Sequence, residues 1–126
     1  FDHGIVGYQE SILKILSADV LWLQIDDLKS GDTIVPAKLF YYLATKKPVI
    51  GFVSDGAAKM LLDSYEASYL CNPNNIQEIK STLLKVYDAF QNNQLPTVSE
   101  QNIEKYRKEI LIESLLKFLQ SQGKII

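Results

Sequence analysis

The stretch VPAKLFYYLATKKPVIGF, Val35 to Phe52, decides the reading of the chain. A proline at Pro36 fits only the first turn of a helix, and Lys46-Lys47 place positive charge where a helix ends. Pro48 then opens PVIGFV, an apolar run of strand length that suits a strand covered on both faces within a parallel sheet. On a wheel of about 100° per residue, Leu39, Phe40, Leu43 and Ala44 fall on one half of the helix, with Lys38, Tyr41, Tyr42 and Thr45 on the other. The first half is expected to pack on the sheet. The second half sets a cation and two phenols beside the unpaired N–H groups of a helix amino end, which suits an anion such as a phosphate. The same pattern also fits a solvated lysine with tyrosines covering the edge of a core.

Outward from this unit, strands and helices alternate. GIVGY, Gly4 to Tyr8, reads as a short strand, and YQESILKILSA as a helix with Ile12, Leu13 and Leu16 on its inner side and Glu10 in its first turn. Asp19 opens DVLWLQI, a second strand expected to be covered on both faces, and Asp26 to Thr33 is a polar loop. Downstream, Ser54-Asp55-Gly56 turns into a helix over Ala57 to Asp63, and ASYLC is a last short strand. Asn72 to Asn75 starts a helix running to Phe90, with Ile76, Ile79, Leu83, Val86, Tyr87 and Phe90 as one stripe. A final amphipathic helix covers Glu100 to Gln120, and Gly123 marks its end. Such alternation predicts an α/β fold: a partial doubly wound, Rossmann-like parallel sheet with helices on both faces.

With 126 residues, 47% of them hydrophobic and 22% charged, the chain reads as a single domain, residues 1–126. A net charge of −2 provides no basic field for nucleic acid. One cysteine, Cys71, excludes an internal disulfide framework and a thiolate zinc cluster, so no metal is expected and a reducing, cytoplasmic setting fits. No apolar run reaches the roughly 18 to 20 residues needed to span a bilayer, so no transmembrane segment is expected. Because the chain begins at Phe1 rather than methionine, we read it as a piece of a longer protein.

In doubly wound sheets ligands sit beyond the carboxyl ends of the strands. Three loops lie there: Asp26 to Pro36, Ser54 to Gly56, and Asn72 to Asn75. Adjacent acids such as Asp26-Asp27 can hold a metal or act as a base, but in a polar loop they read as solvated. His3 reads as a surface residue, and Cys71 as a small buried apolar side chain rather than a nucleophile. Nothing matches a Ser-His-Asp set, a Walker loop or a GxGxxG fingerprint.

Taken together, GYQESILKILSADVLWLQI, TIVPAKLFYYLATKKPVIGFVSDGAA and ASYLCNPNNIQEI resemble the carboxy-terminal domain of GT-B fold glycosyltransferases. The likeness is to the retaining, nucleotide-sugar-dependent glycosyl transferase group 1 family, and it runs from Gly4 to about Phe90. It implies the carboxy-terminal half of a GT-B domain, with the first two strands and a whole amino-terminal domain lying outside this chain. By the same resemblance a nucleoside-diphosphate sugar is the donor substrate, no separate cofactor is needed, and the donor lies over the helix that begins near Pro36. The implied donor-binding residues are Thr33, Ile34, Val35, Lys38, Tyr41 and Tyr42. The family commonly places glutamates where this chain has Thr33 and Tyr41, the second of them contacting the donor ribose. A phenol with one O–H cannot accept two ribose hydroxyls. The parent is therefore expected to be a cytoplasmic glycosyltransferase, or one peripheral at the inner membrane face, building a glycan or modifying another acceptor, with the fragment inactive by itself. Alternatives are a non-catalytic binding or interaction module that kept the fold, and a nucleotide-sugar epimerase of the same architecture. The apolar side of the last helix, with Tyr106, Ile110, Leu111, Leu115, Phe118 and Leu119, is expected either to pack on the domain or to drive self-association of the fragment.

Overall fold

Each apolar run between turn residues resolves into one element in the computed structural model, which describes residues 4–25 and 33–123, apart from the side chain of Lys108. The order is α1 (Tyr8–Ser17), β1 (Leu21–Gln24), α2 (Ala37–Ala44), β2 (Val49–Phe52), α3 (Ala57–Asp63), β3 (Ser68–Cys71), α4 (Ile76–Gln91), α5 (Glu100–Glu104) and α6 (Lys108–Ser121). The strands form one parallel sheet in the order β1-β2-β3. Leu23 lies beside Gly51, and Gly51 beside Leu70.

Side chains alternate across this sheet, which makes two cores. Leu21, Leu23, Val49 and Val53 face α2 and α3, where Leu39, Leu43, Ala58 and Leu62 are buried against them. Ile15 of α1 and Ile103 of α5 close the same side. Ile50, Phe52 and Cys71 face the other way and are covered by Val86 and Ile79 of α4. Helices therefore flank both faces, as a Rossmann-like sheet requires, while among the described residues the strands run in chain order without a reversal.

Coverage is uneven, and this corrects one expectation. All of β2 is buried, whereas β1 alternates and leaves Trp22 52% exposed. Lying at the sheet edge, β1 is reached by the helices on one face only. Trp22 instead stacks on Phe52, ring centroids 4.1 Å apart.

Gly4 to Tyr8 is not a strand. Gly4 has φ +63°, Ile5 is fully exposed, and Tyr8 already belongs to α1. Among the described residues no strand of the sheet lies alongside it, and a short extended segment is not stable as a strand without a sheet neighbour. In α1 the inner positions are Ile12 and Ile15, while Leu13 and Leu16 are exposed. In α2 the buried line is Leu39 and Leu43 with half-buried Tyr42 packed on the core, so Tyr42 leaves the outward half assigned by the wheel, and Phe40 is exposed. The same rotation occurs in α4. Thr82 and Val86 are buried while Ile76, Leu83, Tyr87 and Phe90 are exposed. Thr82 turns inward beside the Cys71 thiol, whose pKa its hydroxyl lowers against the larger effect of burial.

Ends and breaks follow from local chemistry. Pro36 is the residue before the first helical turn of α2, and α4 is capped by Asn75, whose Oδ1 accepts from the Glu78 N–H at 3.1 Å. Lys46, at φ +60°, pairs through its ammonium with Glu100, and Lys47 donates to the Ala18 carbonyl. The lysine pair thus ties α2 to two neighbouring segments. The single helix expected over Glu100 to Gln120 is two, because Tyr106 turns inward, its hydroxyl 2.5 Å from Ser64 Oγ, and α6 restarts after Arg107.

Tyr65 is nearly fully buried, and its hydroxyl donates to the Lys47 carbonyl at 2.8 Å. Burial, the larger cause, and the neighbouring Tyr106 push its pKa up to about 12. An unfolded tyrosine titrates near 10, so the folded state favours the neutral phenol. This contribution is fully present below pH ~10 and is lost as pH rises through ~12, for a total on the order of 2 kcal/mol. Urea unfolding followed from pH 9 upward is expected to show falling stability across that window, and Tyr65→Phe is expected to flatten the fall.

Candidate functional site

The carboxyl edge of the parallel sheet is where β1, β2 and β3 release the chain into loops that lead to α2, α3 and α4. Two of the three expected loops meet there. Val53, Ser54 and Asp55 after β2, and Cys71, Asn72 and Asn74 after β3, line a polar cleft of about 420 Å³ together with Lys59, Leu70 and Glu78. Gly56 (φ 156°, ψ −173°) makes the turn into α3 in a region that side chains other than hydrogen rarely allow.

Most polar groups of this cleft already have protein partners. Lys59 and Asp55 form an ion pair at 2.6 Å, which holds the Asp55 carboxyl below its usual range and raises the Lys59 ammonium. The Asn72 N–H donates to Glu78 Oε1 at 3.1 Å, and the Asn74 N–H to Asn72 Oδ1 at 2.8 Å. Cys71 is buried and burial pushes its thiol pKa up, so it is a protonated packing group and not an activated nucleophile. Among the described residues no group of three or more His, Cys, Asp and Glu is placed to hold a metal ion. Asp26, Asp27 and His3 lie outside the described residues.

The residues expected to bind a donor surround the amino end of α2. Thr33 and Ile34 are exposed on the approach, and Val35 packs against the core, which fixes the entry of the chain. Pro36 carries no side chain able to cap the helix, and the first backbone N–H groups of α2 lack intrahelical partners. Lys38 is exposed one residue into the helix and, among the described residues, has no ion-pair partner. Tyr42 is half-buried, and desolvation raises its pKa, so it contributes shape rather than a free phenol.

Tyr41 stands apart from the others. It is 46% exposed and lies beside Tyr8, whose phenol pKa it raises. With Gln9, Ile12 and Leu13 the two tyrosines line a shallow, mostly apolar groove of about 560 Å³ between α1 and α2. Sequence reasoning found Tyr41 but missed Tyr8, because their meeting depends on how α1 lies against α2. It marked both loops of the polar cleft, though not Lys59 or Glu78, which enter from the first turns of α3 and α4.

No helix among the described residues is long and apolar enough to cross a membrane. Compared with protein-family models, curated proteins and solved structures, the chain matches none.

Proposed function

We propose that this chain is the donor-side part of a GT-B glycosyltransferase that moves a sugar from a nucleoside-diphosphate sugar to an acceptor hydroxyl. The observation that carries the reading is the amino end of α2, uncapped by Pro36, with exposed Lys38 beside it on the carboxyl edge of a parallel sheet. It is supported by the resemblance of VPAKLFYYLATKKPVI to the segment on which group 1 glycosyltransferases hold their donor.

In this reading the donor diphosphate rests against the N–H groups at residues 37 and 38 and the Lys38 ammonium. As the bond from the sugar anomeric carbon to the diphosphate oxygen breaks, the electron pair leaves with the diphosphate. Preorganised N–H donors and the lysine stabilise that developing charge better than the ground state. The acceptor oxygen forms the new bond to the anomeric carbon, and its proton passes to a base outside this chain. The same helix end would bind product nucleoside diphosphate.

Tyr41 makes the site an altered one. A carboxylate could accept both ribose hydroxyls, whereas Tyr41 has a single hydroxyl and shares its groove with Tyr8. The meeting of Tyr8 and Tyr41 in one groove also favours a second reading, a binding module that has closed this subsite and lost turnover. Release of nucleoside diphosphate by the longer protein, measured across the common donors, separates the two. Turnover is expected, with Tyr41→Glu raising kcat/KM by about 10-fold or more through charge-assisted hydrogen bonds to ribose. Absence of release with every donor, in both forms, would contradict catalysis.

A further inference from the structure

We propose that α6 pairs with the α6 of a second copy of this chain, antiparallel about a two-fold axis passing near Leu115. Little of α6 is covered by its own domain. Leu111, Leu115 and Phe118 are 47%, 55% and 59% exposed, and Ile112 and Leu116 are each 46% exposed. At about 100° per residue these side chains and half-buried Leu119 fill one arc of the helix, while Glu109, Glu113, Lys117 and Gln120 fill the opposite arc.

The open apolar surface on α6 is on the order of 500 Å², as large as the largest patch on ordinary monomers. Two such faces laid together bury on the order of 1,000 Å², the area at which specific interfaces begin. The charge along α6 argues against an anionic membrane as the occupant. Glu109 and Glu113 balance Lys108 and Lys117, without the basic excess of a helix that lies on acidic lipid.

Shape argues for a second copy. Phe40, Tyr106, Leu111, Ile112 and Leu115 line an apolar groove of about 410 Å³ beside α6. Phe118 projects from the same arc roughly 9 Å further along the helix. In an antiparallel pair centred on Leu115, Phe118 of each copy falls opposite Ile112 of the other and enters its groove. A knob and a hole on one surface, exchanged by a two-fold axis, are what an isologous contact requires.

Sedimentation equilibrium of this chain across the micromolar range tests the pairing. A monomer–dimer equilibrium is expected, and Phe118→Asp and Leu115→Glu are each expected to raise the dissociation constant by about 100-fold or more with unchanged helical circular dichroism. On a Cys71→Ser background, Leu115→Cys is expected to form a disulfide-linked dimer on mild oxidation, whereas Glu113→Cys on the opposite arc is not. A monomer at every concentration overturns the proposal, as does a dimer that survives both substitutions. Binding of the monomer to phosphatidylserine vesicles that Phe118→Asp abolishes would identify a membrane as the occupant and overturn it as well.

Discussion

Replacing Gly51 by valine is expected to lower the unfolding free energy by about 3 kcal/mol, the upper part of the range for overfilling a packed core. Gly51 is central in β2, with β1 on one side and β3 on the other. A Cβ at this position would stand 2.8 Å from Leu70 Cδ2 and 2.9 Å from Leu62 Cδ1, closer than side chains tolerate. The absent side chain is therefore what lets Leu62 of α3 and Leu70 of β3 meet over the strand, and Leu62 is completely buried. Gly51→Ala asks only that two leucine methyl groups rotate, so its cost is expected to be about 1 kcal/mol. Valine adds two further carbons with a stiff χ1 and leaves no such escape. Stability of a domain this size is on the order of 10 kcal/mol, so the valine variant should show a clearly lower urea midpoint at an unchanged slope.

Exchange of Lys38 for alanine is expected to weaken nucleoside-diphosphate binding by about 10- to 100-fold, as removal of one charge-assisted hydrogen bond worth 1.5 to 3 kcal/mol does. The effect should be specific. Lys38 is exposed, so its loss removes no core contact and the unfolding midpoint should stay put. Lys38→Arg keeps the charge and should retain most of the affinity, and added salt should weaken the wild type more than the alanine variant. Isothermal titration with UDP and GDP reads all three. Equal affinities for wild type and Lys38→Ala would remove the lysine from the site.

Which features could be read ahead of the structure has a physical pattern. β2 and α2 were legible in Val35 to Phe52 because Pro36, Lys46 and Pro48 punctuate the elements and β2 is apolar throughout. α3 and β3 fell within the expected spans for the same reason. What failed was which side of an element faces inward. In α4 the apolar residues Leu83, Tyr87 and Phe90 form a stripe, yet the helix sits on the sheet through Ile79, Thr82 and Val86. A buried threonine is invisible to a count of apolar side chains. Trp22 failed differently, since an apolar run cannot say whether its strand is central or at an edge. Gly4 to Tyr8 had the composition of a strand, but among the described residues no strand of the sheet lies beside it. For the site, loops at strand ends could be placed from alternation alone. The meeting of Tyr8 with Tyr41 and the rotation of Tyr42 toward the core depend on how helices pack, which no local pattern carries.

Amide-resolved NMR of this chain, titrated with UDP and GDP into the millimolar range, tests the proposed donor site most directly. The expected result is a set of saturable shifts at Ile34, Val35 and the α2 amides from Ala37 to Tyr42, reduced in Lys38→Ala. Shifts confined to the cleft of Asp55, Asn72 and Glu78, or no shifts with either nucleotide, would contradict a diphosphate site at the amino end of α2.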